Sequence, residues 1–145
     1  MPRLEGSVEV RLPETRVREL LERPETIADC IPGIQPGYVV RGQEFQATVV
    51  AKIGYISGRF NVRGRLEREN DRYKLVMEGS GAAGSTFKAS GILEVSGSGS
   101  ASTIEYSFDV ALGGILAALG SIVIKGVVEN IVKDLFACVS QRMKS

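Results

Sequence analysis

Histidine is absent from this 145-residue sequence. Its absence removes the commonest general base and the commonest metal ligand together. Only two cysteines occur, Cys30 and Cys138, far apart and in no CxxC pair or metal-ligand cluster. They read as apolar thiols, buried or partly so. Charge of one sign is lacking too. Eighteen basic residues face 17 acidic ones, for a formal net charge of +1. With no basic run, nothing marks a nucleic-acid partner. The longest uncharged stretch, Val110 to Ile124, contains three glycines and falls short of the ~20 residues a membrane span needs. The N-terminal Met1-Pro-Arg-Leu-Glu-Gly has no apolar segment of the kind a signal peptide carries. The expected location is cytoplasmic, with room for peripheral contact at the inner face of the membrane.

What is present is a 43% apolar chain of ordinary single-domain length, residues 1–145. Residues 4–12 alternate like a strand. Pro13 opens a short helix carrying Val17, Leu20 and Leu21, and Pro24 stops it. A second short helical turn reaches Ile31 before Pro32-Gly33 ends it. From Gln35 to Val110 the apolar period is two. Tyr38–Arg41, Phe45–Ile53, Phe60–Glu67, Tyr73–Glu78, Phe87–Val95 and Ile104–Val110 read as strands joined by Gly-, Asn- and Ser-rich turns. Such a run makes an antiparallel meander with one apolar and one wet face. The stretch from about Leu112 to Met143 has a helical pattern and is the one element long enough to cover that face. The fold class is therefore α+β, a curved antiparallel meander wrapped around a long C-terminal helix, with two short helices after strand 1.

Gly79-Ser-Gly-Ala-Ala-Gly84 matches the dinucleotide-binding spacing, but a strand pattern follows it where a helix is required. It reads instead as a glycine-rich bend. Inner-face positions hold tyrosines but no acid, lysine or histidine, while Glu67, Glu78, Glu94, Glu105 and Asp109 fall on the outer period. No catalytic residue, metal or cofactor is therefore assigned. An apolar inner face can hold an apolar molecule or simply be filled. The expected ligand cavity is lined by Phe60, Val62, Tyr73, Leu75, Met77, Phe87, Tyr106 and Phe108 from the strands. Leu116, Leu119, Val123 and Val127 line it from the first half of the helix. Val128, Ile131, Leu135 and Val139 are expected to seal the core beyond. Lys125, Glu129 and Lys133 define the wet side. Ile115, Ile122 and Phe136 project among those charges and are expected to meet a partner subunit or a membrane surface.

Several motifs occur in order. They are Glu5-Gly-Ser-Val-Glu-Val, Cys30-Ile-Pro-Gly33, Lys52-Ile-Gly-Tyr-Ile-Ser-Gly-Arg-Phe60, Gly81-Ala-Ala-Gly-Ser85 and Leu112-Gly-Gly-Ile-Leu-Ala-Ala-Leu-Gly120. Together they resemble the carbon monoxide dehydrogenase G-subunit family, from about residue 3 to residue 140. The resemblance implies a helix-grip fold of the lipid-transfer-like and polyketide-cyclase-like superfamily. It also implies a non-catalytic accessory role beside a molybdenum-containing oxidoreductase. Recruitment of that enzyme to the membrane and binding of a hydrophobic small molecule, a lipid or a quinone, belong to the same implication. Where the family often carries a polar residue, at Ile115 and near Ser121-Ile122, this helix start is apolar. Two other readings stay open: a superfamily enzyme of cyclase or hydrolase type, and a ligand-free interaction module, including a homo-oligomer.

Overall fold

A computed structural model describes residues 3–53, 56–81 and 84–143. Seven strands form one antiparallel sheet in the order β1-β7-β6-β5-β4-β3-β2. They are β1 (Arg3–Val10), β2 (Val39–Arg41), β3 (Glu44–Ile53), β4 (Ile56–Glu69), β5 (Arg72–Gly81), β6 (Thr86–Ser98) and β7 (Ala101–Gly113). Two short helices, α1 (Glu14–Leu21) and α2 (Pro24–Asp29), follow β1, and α3 (Ser121–Met143) ends the described chain. The fold is the one the alternating pattern specifies. From β2 onward consecutive strands pair antiparallel, and β1 pairs with the last strand, β7.

The strands bury one parity of side chains and expose the other. Along β4, Phe60, Val62, Gly64 and Leu66 are buried while Arg59, Asn61, Arg63 and Arg65 face water. On β7, Ile104, Tyr106, Phe108 and Val110 are buried. The Glu69-Asn70-Asp71 turn is made by Asn70 at φ 57°, a left-handed conformation that asparagine tolerates.

Five glycines sit directly across from aromatic rings. The pairs are Gly6 and Tyr106, Gly64 and Phe45, Gly79 and Phe87, Gly81 and Phe60, and Gly91 and Phe108. In each, a Cβ on the glycine would collide with the ring. The rings therefore lie down across their partner strands, filling space that a side chain would otherwise occupy. This accounts for the glycine-rich motif around Gly79 and Gly81. Those residues belong to β5, and β6 begins at Thr86.

The apolar residues form two packed groups. The larger joins α1 (Val17, Leu20, Leu21), β4–β7 and the inner face of α3, through Ile124, Phe136 and Val139. The smaller holds Phe45, Val49, Phe60, Val62 and Leu116. Ile53, Leu112 and Leu119 touch both.

The structure revises the C-terminal element. Strand β7 runs to Gly113, a 3-10 turn covers Gly114–Ala118, and the α-helix begins at Ser121 rather than near Leu112. Gly114, at φ 63°, lies so close to the Gly84 carbonyl that no side chain fits there. The chain turns at this glycine and cannot pass straight from strand into helix.

The cysteines are not thiols. Cys30, the C-cap of α2, and Cys138 on α3 are joined as a disulfide, with Cα atoms 5.6 Å apart and a sequence separation of 108. Beside this link, Asp29 accepts a hydrogen bond from Tyr38 and a salt bridge from Arg142 at 3.0 Å.

Candidate functional site

Helix α3 presents its sides differently from the expected arrangement. Ile124, Val128, Val132, Leu135, Phe136 and Val139 face the core. Val123 and Ile131, one turn-row away, are 43% and 41% exposed. Ile122 is 87% exposed and Ile115, in the preceding 3-10 turn, 43%. Val123 is thus not a buried cavity wall, and Ile131 does not seal the core. Leu119 and Val127 are half-buried between these extremes.

Phe136 corrects the expectation of a contact patch. It is 5% exposed and belongs to the main core. It shares a side of α3 with Lys125, Glu129 and Lys133, but that side meets β1, and the charges stand at the rim of a groove whose wall includes Phe136. Ile115 and Ile122, by contrast, are open to solvent.

The strand residues assigned to a cavity divide into three sets. Phe60, Val62 and Leu116 are packed together in the smaller core, and Phe108 is buried in the larger. Leu75, Met77 and Phe87 are half-buried on the inner face, as are Ile53 and Ala89. Tyr73 is 0% exposed, and it lines nothing. Its hydroxyl donates to Glu22 at 3.1 Å, and the Arg18 guanidinium lies 6.0 Å from its ring centre. Arg18 is itself held by Glu14 at 3.0 Å and by the carbonyls of Asp71 and Val95. Tyr73 therefore anchors α1 to the sheet.

Burial raises the pKa of Tyr73, and burial followed by the nearby Glu129 carboxylate raises that of Tyr106. Both phenols are neutral in the fold and ionise more readily once it opens. Stability contributed this way is complete below about pH 10 and declines as pH climbs through the raised values. Alkaline titration followed at 295 nm should show Tyr73 and Tyr106 ionising late, together with the loss of circular dichroism, and Tyr38 is raised too, by its hydrogen bond to Asp29. Two early, reversible ionisations at these sites would contradict their burial.

Two concavities accompany α3 and the sheet. One, of about 670 Å³, lies between β1 and α3 and has Tyr106 among its lining residues. The other, about 820 Å³, is an open trough. Its polar side chains, Gln46, Thr48, Asn61, Arg63, Glu78 and Lys88, belong to the outer period of the sheet. The β1–α3 groove carries Glu5, Glu9 and Glu129 together with Arg11, Lys125 and Lys133 at its exposed rim.

The geometry, an antiparallel sheet backed by one long C-terminal helix, can now be set beside known proteins. The profile of the CoxG family, the G-subunit family of carbon monoxide dehydrogenase, matches residues 6–144. The chain belongs to that family. A search of curated protein sequences gives no match. Among solved structures, a conserved protein from Geobacillus kaustophilus superposes with a TM-score of 0.86 at 20% identity, covering 99% of this chain and 95% of that one. A protein from Thermus thermophilus gives 0.64 at 19% identity, covering 95% and 97%. A START superfamily protein from Mycobacterium smegmatis gives 0.71 at 13% identity, covering 98% and 97%. These likenesses establish a START-like fold for this CoxG family member. Family and fold together support an accessory or ligand-binding role. Among the described residues no helix is long and apolar enough to cross a membrane.

Proposed function

We propose that this chain is a non-catalytic accessory protein that binds a hydrophobic ligand, a lipid or a quinone, between its sheet and α3, and brings a molybdenum-containing oxidoreductase to the membrane surface. One observation carries the reading. Ile115, Ile122, Val123 and Ile131 are open to water on α3 and the turn before it, while Ile53, Leu75, Met77 and Ala89 on the inner face are only half-buried. Apolar surface left uncovered at a sheet–helix junction favours an apolar occupant, at roughly 25 cal/mol per Å² buried. The CoxG family supplies the context of an accessory to an oxidoreductase.

Organic extraction and native mass spectrometry of the purified protein should recover an isoprenoid or acyl-chain ligand, and flotation with phospholipid vesicles should carry the protein upward. The double substitution Ile122→Lys with Val123→Lys should abolish both, with the melting temperature shifting by no more than a few degrees. Failure of the native chain to hold a ligand or to float defeats the proposal. Should those two assays fail while Ile122→Lys changes the sedimenting mass, a ligand-free interaction module is the better description.

A further inference from the structure

Charge is unevenly placed along the strands. The register aligns Ala47, Val62, Gly79, Phe87 and Leu112 in one row across β3 to β7. Beyond that row lie the ends of β3, β5 and β7, the starts of β4 and β6, the 3-10 turn and the first turn of α3. Residues 31–38 run beside them. They are held to β3 by hydrogen bonds of 2.9 Å, from the Val50 amide to the Gly33 carbonyl and from the Gln35 amide to the Thr48 carbonyl. The stretches concerned, 31–38, 47–62, 79–87 and 111–128, contain no aspartate or glutamate, yet they contain Lys52, Arg59 and Lys125.

All three cations are exposed, and none has an ion-pair partner among the described residues. Arg63, one position inward on β4, lies 3.6 Å from Glu44 and 3.9 Å from Glu78. The first acid along α3 is Glu129, one turn past Lys125. The exposed Ile115, Ile122 and Val123 stand at this same end. Lys125 is three positions from Ile122 on α3, so the two share a face. Exposed apolar side chains beside unpaired cations fit a neighbour offering both hydrocarbon and negative charge. A bilayer containing anionic lipid offers both, with phosphates at the surface and acyl chains beneath.

We propose that, within the membrane role set out above and resting on it, this end of the molecule docks on an anionic phospholipid surface. Ile115, Ile122 and Val123 enter the interface, and Lys52, Arg59 and Lys125 meet lipid phosphates. Each cation near such a surface strengthens partitioning about fivefold. Salt weakens the attraction, because exposed charges are screened beyond ~8 Å at physiological ionic strength.

The test is cosedimentation of the full chain with vesicles of phosphatidylcholine alone and of phosphatidylcholine with about one-third phosphatidylglycerol. The mixed vesicles should bind about a hundredfold more tightly at low salt, and high salt should erase the difference. The triple variant Lys52→Gln, Arg59→Gln, Lys125→Gln should lose about a hundredfold on mixed vesicles and nothing on phosphatidylcholine, with its melting temperature retained. The chain has no tryptophan, so Ile122→Trp reports insertion directly. Brominated acyl chains should quench its fluorescence, while Lys74→Trp, on β5 toward the opposite end of the strands, stays unquenched. Equal binding to the two compositions overturns the proposal and leaves membrane recruitment standing. Binding to neither, the result expected of a face for an acidic protein, overturns it and the membrane role together. Quenching of Lys74→Trp but not of Ile122→Trp puts another face on the membrane and also overturns it.

Discussion

Replacing Phe136 by alanine should cost about 3–5 kcal/mol of stability, the range for deleting a buried aromatic ring. Phe136 is 5% exposed and packed within the main core. Denaturant unfolding should show the midpoint falling sharply with little change in slope. Ile122→Lys supplies the contrast. At 87% exposure Ile122 has little packing to lose, so its substitution should stay within about 0.5 kcal/mol. The two residues are both apolar and lie on one helix, so a tolerated charge at one and a costly truncation at the other trace the difference in burial. Equal losses, or a larger loss at Ile122, would mean that α3 is rotated about its axis from the orientation described.

Breaking the Cys30–Cys138 link should cost about 2–4 kcal/mol. The bridge spans 108 positions, so its removal frees a large loop in the unfolded chain, and the stabilisation grows with loop length. It also ties α3 to the end of α2, where the remaining described polar links run through Asp29 to Tyr38 and Arg142. Cys138→Ala, Cys30→Ala and the reduced native chain should melt at similar, lowered temperatures. The double variant should be no worse than either single one, since both remove the same bond. A native chain whose melting ignores reductant would argue that the link contributes nothing to folding.

The strands were readable because their cue is local. Alternation along Phe60, Val62, Gly64 and Leu66 states both conformation and face, and the sheet keeps that assignment. The helix was harder. Ile122, Val123 and Ile124 are consecutive and equally apolar, so periodicity alone leaves the phase open. Packing on β1 decides it, turning Ile124 inward at 3% exposure and leaving its two neighbours out. Phe136 misled for a related reason. Lys125 and Glu129 nearby suggested a solvated side, but β1 lies close enough there for the ring to be enclosed while the charges stay at the rim. The disulfide left no trace at all in the linear pattern. Two cysteines separated by 108 positions meet only after α2 and α3 have been placed. Tyr106 was legible as an inner-face residue, and the sheet keeps it there at 6% exposure.

The glycine–aromatic pairs across the sheet have a consequence for how this protein can change over time. At each pair one strand donates a ring and the other vacates the space beneath it, so neither residue has a meaning alone. A side chain gained at Gly79 is tolerable only after Phe87 has shrunk, and a ring lost from Phe87 leaves a hollow that Gly79 cannot fill. Drift at these positions must therefore proceed in coupled steps across neighbouring strands. Relatives should keep or exchange such residues as pairs, even where the outer face between them varies freely.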